Sequence, residues 1–129
     1  MMNAKMYQEE LMDHYKYPRN QKKLTRPDFS VSEFNPSCGD RIAIEGMLVN
    51  GIINDLGFHG SGCVISQAAA SMLVEHCMNK NIEDILKLTK HDIIAMVGLD
   101  LGPTRLKCAL LALQVLQQGV LSLSTNSQV

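Results

Sequence analysis

The dipeptide Asn50-Gly51, set between two apolar runs, is the tightest constraint on what this chain can become. Asn-Gly readily takes the left-handed backbone of a two-residue hairpin, whose twist matches that of the strands it joins. Before it, Ile42 and Ile44 place apolar side chains on one face; after it, the segment from about Ile52 to Phe58 supplies the returning strand. Upstream, Phe29-Ser30-Val31-Ser32-Glu33-Phe34 alternates apolar and polar residues, the period of a half-buried strand. The spacing therefore predicts a small antiparallel meander.

Helical spacing surrounds it. From Ala4 to about Tyr17, Met6 or Tyr7, Leu11, Met12 and Tyr15 recur at helical intervals, and Pro18 stops the pattern. Val64 to Met78 reads as a buried helix, with shorter helices at Ile82 to Leu88 and His91 to Val97. A last helix begins near Pro103 and ends at Gly119, with an apolar line through Leu106, Leu110, Leu113 and Leu116 or Gln117. Residues 121–129 form a polar tail expected to fray. The fold class is α+β, and residues 1–129 suit a single domain long enough to bury a core without disulfides.

A formal net charge of -1 gives no reason to expect nucleic acid or an anionic membrane surface as a partner. No stretch is expected to approach the roughly 20 apolar residues of a membrane span. The opening MMNAKMYQEE lacks the charged-then-apolar order of a secretion signal. The expected setting is cytoplasmic, where thiols stay reduced and scattered cysteines read as metal ligands or reactive groups.

The chemistry concentrates in three places. In Asn35-Pro36-Ser37-Cys38-Gly39-Asp40, proline and glycine bend the chain, and a bend lets the Cys38 thiolate and Asp40 carboxylate point to a common side. In Gly60-Ser61-Gly62-Cys63, two glycines permit a tight strand-to-helix turn that leaves Cys63 at a helix N-terminus, where the partial positive charge favours the thiolate. Cys108 lies about one turn into the last helix, with Arg105 on nearly the same face. If they converge, Cys38, Asp40, Cys63 and Cys108 form a four-ligand set for a soft metal or an iron–sulfur cluster, and Arg105 and Lys107 are placed to offset its negative charge.

Each feature also has a plainer reading. Cys108 alone, in its apolar helix, reads first as a small buried hydrophobe, Cys77 reads as core, and the glycine segments alone are equally turns or linkers. His59 at a strand end reads as solvated, and His14, His76 and His91 show no convergent partners. The combination of three framed cysteines with one acid carries the joint reading.

Four ordered motifs then carry a resemblance. They are Met6-Tyr7 through Asp13-His14-Tyr15-Lys16-Tyr17-Pro18-Arg19-Asn20, Pro36-Ser37-Cys38-Gly39-Asp40, Gly60-Ser61-Gly62-Cys63-Val64-Ile65-Ser66 and Arg105-Leu106-Lys107-Cys108. From about Met6 to Gly119 the chain resembles the IscU, NifU amino-terminal and SufU family of iron–sulfur assembly proteins. The resemblance implies a three-stranded antiparallel sheet with helices packed on one face. It also implies that Cys38, Asp40, Cys63 and Cys108 are the site, taking persulfide sulfur from a cysteine desulfurase. Acceptor apoproteins or a carrier would receive the product.

Lys107 stands where the IscU branch has histidine, as in the SufU branch, yet the insertion usual in SufU before that motif is absent. Leu101-Gly102-Pro103-Thr104-Arg105 replaces the leucine–proline–proline–valine–lysine signal of IscU-type scaffolds, so recognition by a dedicated chaperone does not carry over. Three cysteines and an aspartate satisfy zinc and can also hold a transient [2Fe-2S] cluster. The expected function is a cluster assembly scaffold in which Cys38 or Cys108 accepts the sulfur. The alternatives are a zinc-dependent sulfurtransferase and a structural zinc-binding interaction domain.

Overall fold

The computed structural model describes residues 3–37 and 39–126, with side chains as far as 123. Cys38 lies outside the described residues. The elements run α1 (Ala4–Lys16), β1 (Phe29–Asn35), β2 (Asp40–Val49), β3 (Ile52–Ser61), α2 (Val64–Cys77), α3 (Ile82–Leu86), α4 (Lys90–Val97) and α5 (Pro103–Asn126).

The meander forms as the sequence predicts. The three strands pair antiparallel in the order β1-β2-β3. Asn50 and Gly51 take φ of 54° and 77°, the doubly left-handed turn that closes a two-residue hairpin. Ile42, Ile44, Ile53, Leu56 and Phe58 of the sheet join Ala68, Ala69 and Leu73 of α2 and Ala112, Val115 and Leu116 of α5 in one buried cluster. α2 and α5 pack on each other and on the sheet, and α1 lies against α2.

Three expectations about these elements are corrected. β3 runs to Ser61 instead of stopping near Phe58, because Gly60 is a strand residue: a Cβ there would lie 2.1 Å from the Arg41 carbonyl oxygen of β2. Gly119 does not end α5, which continues to Asn126; the glycine admits the Phe29 ring, whose Cδ1 would sit 2.3 Å from an added Cβ. Gly46, the cross-strand partner of Phe29, meets the same ring from β2, with Cε2 at 2.3 Å from an added Cβ. The buried face of α5 is also broader than the expected line: Leu113 and Leu116 are buried as expected, together with Cys108, Ala109, Leu111, Ala112, Val115 and Val120, while Leu106 and Leu110 are half-exposed.

The expectation that no stretch approaches the length and apolarity of a membrane span is also corrected, at α5. Its Pro103–Leu123 stretch, with mean hydropathy 1.4, is long and apolar enough to cross a membrane, although half of that window is buried inside the protein. Packing against β1, β2 and α2 accounts for its apolarity.

His14 does have partners. It is 3% exposed, and its Nδ1 lies 2.7 Å from Ser71 Oγ on α2. Ser71 Oγ accepts from the Arg19 backbone N–H at 2.8 Å, which leaves the hydroxyl hydrogen for a neutral His14 ring. Burial, and then the nearby Arg19 charge, hold the His14 pKa below its ordinary value.

Candidate metal centre

Asp40 opens β2 and is fully buried. Its carboxylate can sit there because Gly62 makes room: an added Cβ at Gly62, whose φ is 135°, would lie 2.1 Å from Asp40 Oδ1. Only a residue without a side chain lets the turn into α2 pass so close to the acid.

That turn delivers Cys63 as the N-cap of α2, as its sequence frame predicts. The Cys63 backbone N–H donates to Asp40 Oδ1 at 2.7 Å, and the thiol donates to Asp40 Oδ2 at 3.4 Å. The Ser66 backbone N–H in turn donates to Cys63 Sγ at 3.4 Å, so the sulfur takes the capping role usually played by a hydroxyl or carboxylate. Ser66 Oγ donates to the Cys63 carbonyl at 3.1 Å and accepts from Gln67 Nε2 at 3.1 Å. Ser66 enters the sequence reading only as the end of the Gly60 to Ser66 motif, and Gln67 does not enter it. For Ser66 the signal was available, since a residue three beyond an N-cap is the one whose N–H a cap engages.

Cys108 projects from α5 and is 3% exposed. The ligand atoms of Asp40, Cys63 and Cys108 all lie within 4.8 Å of one another. Zinc–sulfur bonds of about 2.3 Å in a tetrahedron put ligand atoms roughly 3.8 Å apart, so small side-chain movements suffice for a shared ion. Two soft sulfurs and one hard oxygen suit zinc or iron. The turn between β1 and β2 is itself ordered as far as it is described: Asn35 Oδ1 accepts from the Ser37 N–H at 3.0 Å and the Asn35 carbonyl from the Gly39 N–H at 2.8 Å. Of the fourth expected ligand, Cys38, the described residues say nothing.

The centre borders solvent. Cys63 and Cys108 line an open groove of about 540 Å³ together with Leu11, Val64, Leu99 and Arg105. Lys107, also exposed, faces a different cavity, one walled by Phe34, Asn35 and Pro36. The other candidates stay apart. His59 is half-buried on β3, and His76 and His91 are exposed. Cys77 ends α2, about 20 Å along the helix from Cys63. It is fully buried, and burial pushes its thiol up to about 12.

Residues 6–128 match the family model described as the NifU-like N terminal domain. The zinc-dependent sulfurtransferase SufU of Bacillus subtilis is 37% identical, over 89% of this chain and 89% of its own length. The iron-sulfur cluster assembly scaffold protein IscU of Thermotoga maritima is 28% identical, over 96% of this chain and 99% of its own. Among solved structures, the N-terminal part of a nitrogen-fixing NifU-like protein from Brucella abortus superposes with a TM-score of 0.76 at 14% identity, covering 92% of this chain and 94% of that one. That last likeness shows the fold.

Proposed function

The chain belongs to the NifU-like N-terminal domain family, and from that premise we propose that it is an iron–sulfur cluster assembly scaffold working with a cysteine desulfurase in the cytoplasm. The observation that carries this reading is the convergence of Asp40, Cys63 and Cys108 within 4.8 Å beside an open groove.

In the proposed sequence, a cysteine thiolate of this chain, Cys38 or Cys108, attacks the outer sulfur of the desulfurase persulfide. The sulfur–sulfur bond of the donor breaks, the donor cysteine leaves as a thiolate, and the persulfide now resides on the scaffold. The proton lost by the attacking thiol is available to the leaving thiolate. The outer sulfur of that persulfide takes up two electrons, from ferrous iron and an external thiol reductant, to become the sulfide of a cluster; Cys63 and Asp40 help hold the iron, and the cluster is cargo for an acceptor protein. One hard carboxylate among thiolates weakens retention of that cargo, which favours handing it on. Arg105, on the same groove as Cys63 and Cys108, and Lys107 offset the negative charge of the loaded site.

A second reading, a zinc-dependent sulfurtransferase, is supported by the 37% identity to SufU of Bacillus subtilis and by Lys107 in place of histidine. The same residues would hold the zinc ion, which when bound keeps its thiol ligands deprotonated and ordered.

Metal analysis of protein purified without oxygen separates the two. Cluster absorbance that develops on adding ferrous iron, cysteine, a desulfurase and a thiol reductant, and that is lost in Cys63→Ala and Cys108→Ala, is the expected result. Stoichiometric zinc with persulfide on the protein but no cluster establishes the second reading. Absence of both persulfide and cluster overturns the proposal.

A further inference from the structure

Beside the donor set the surface carries positive charge that no ion pair among the described residues engages. Arg41 follows Asp40 in β2, and its guanidinium carbon stands 5.5 Å from the centroid of the Phe34 ring. Phe34 is 49% exposed, and with Asn35, Pro36 and Lys107 it walls a cavity of about 380 Å³. The wall is therefore the start of the turn whose last residue before β2 is Gly39 and whose next is Asp40. Among the described residues no ion pair engages Arg41, Lys107 or Arg105.

The two cations on α5 do little for its stability. α5 contains no acidic residue along its length, and Arg105 and Lys107 sit near its N-terminus, the end whose partial positive charge repels cations. A half-exposed aromatic ring between two uncompensated cations is instead the composition of a contact surface, where aromatic and arginine anchors carry most binding energy. Glu33, the acidic neighbour on β1, alternates to the opposite face of the strand from Phe34.

We propose that the rim formed by Arg41, Phe34 and Lys107 docks an acidic segment of the protein that delivers sulfur to this site. The inference rests on the assembly reading above, which requires a persulfide donor to approach the thiols. Complementary charge would speed that encounter and fix its register, while Phe34 and its cavity take an apolar side chain of the segment. Neither Arg41 nor Phe34 is among the described donors Asp40, Cys63 and Cys108, so changes there leave those three residues in place.

The test follows persulfide transfer from a cysteine desulfurase as the concentration of this protein is varied, with bound metal and circular dichroism measured alongside. In Arg41→Glu the half-saturating concentration rises about tenfold, with the maximal rate within about twofold of wild type. Phe34→Ala raises it as well, and Arg41→Lys largely restores it. The wild-type half-saturation also rises between about 0.05 and about 0.3 M salt, and that rise flattens in Arg41→Glu. Unchanged half-saturation in both Arg41→Glu and Phe34→Ala, or a loss confined to the maximal rate, overturns the rim while leaving the assembly reading standing. A wild-type protein that takes no sulfur from the desulfurase at any salt overturns the assembly reading and the rim together.

Discussion

Asp40 grips Cys63 through both carboxylate oxygens: Oδ1 accepts from the backbone N–H at 2.7 Å, and Oδ2 accepts from the thiol at 3.4 Å. The acid thus fixes the turn into α2 and offers a metal donor from the same position.

Removing it should separate these two roles. Asp40→Ala leaves the Cys63 N–H without this acceptor and is expected to cost about 1 to 3 kcal/mol of stability, read by urea unfolding of the metal-free protein. If the carboxylate is the weak point of cargo retention, the assembled cluster in Asp40→Ala decays more slowly than in wild type, followed anaerobically by visible absorbance. Faster decay counts against that role.

At Gly119 two effects oppose each other. Alanine improves helix propensity by about 1 kcal/mol, but its Cβ would press on the Phe29 ring, and overpacking costs about 1 to 3 kcal/mol. The ring is held on its other side by Gly46 and has little room to withdraw. Gly119→Ala is therefore expected to lose about 1 kcal/mol net, with part recovered when Phe29→Leu is added. A more stable single variant would refute the contact.

Stability should respond to pH through His14. Its folded pKa is lowered, first by burial and then by Arg19, so below its ordinary value of 6.5 the unfolded chain takes up a proton that the folded chain resists. Stability is flat with respect to this group above that value and falls as pH drops below it, until the folded pKa is passed. In His14→Gln the slope of unfolding free energy against pH over that interval should shrink. An unchanged slope assigns it to other groups.

Cys77 gives a contrast in reactivity. With its thiol pushed up to about 12 and no exposure, it should resist iodoacetamide at pH 8 while the half-exposed Cys63 is labelled, and peptide mass spectrometry reads both. Labelling of Cys77 in folded protein would contradict its burial.

What the sequence made legible was local. The Asn50-Gly51 turn and the alternation around it need only neighbouring residues to be read, and so does the glycine frame that makes Cys63 an N-cap. Contacts between distant segments were not legible. Gly60 and Gly119 look like breaks when judged by their own propensity, yet each marks where another strand or ring comes close. His14 seemed isolated because Ser71 is 57 residues away. The broader buried face of α5 has the same origin, since Cys108, off the leucine line, turns inward toward Asp40 at the start of β2 and Cys63 at the start of α2.

The three described donors are supplied by the first residue of β2, the cap of α2 and the body of α5. No short stretch of the chain contains the set, so an unfolded chain presents it only at the dilute local concentration of a long flexible loop. Whatever ion or cluster binds there ties strand, turn and helix into one unit and raises the melting temperature by its own affinity. Delivery then has a mechanical side: a scaffold that parts with its load slackens, and one that slackens first finds parting easier.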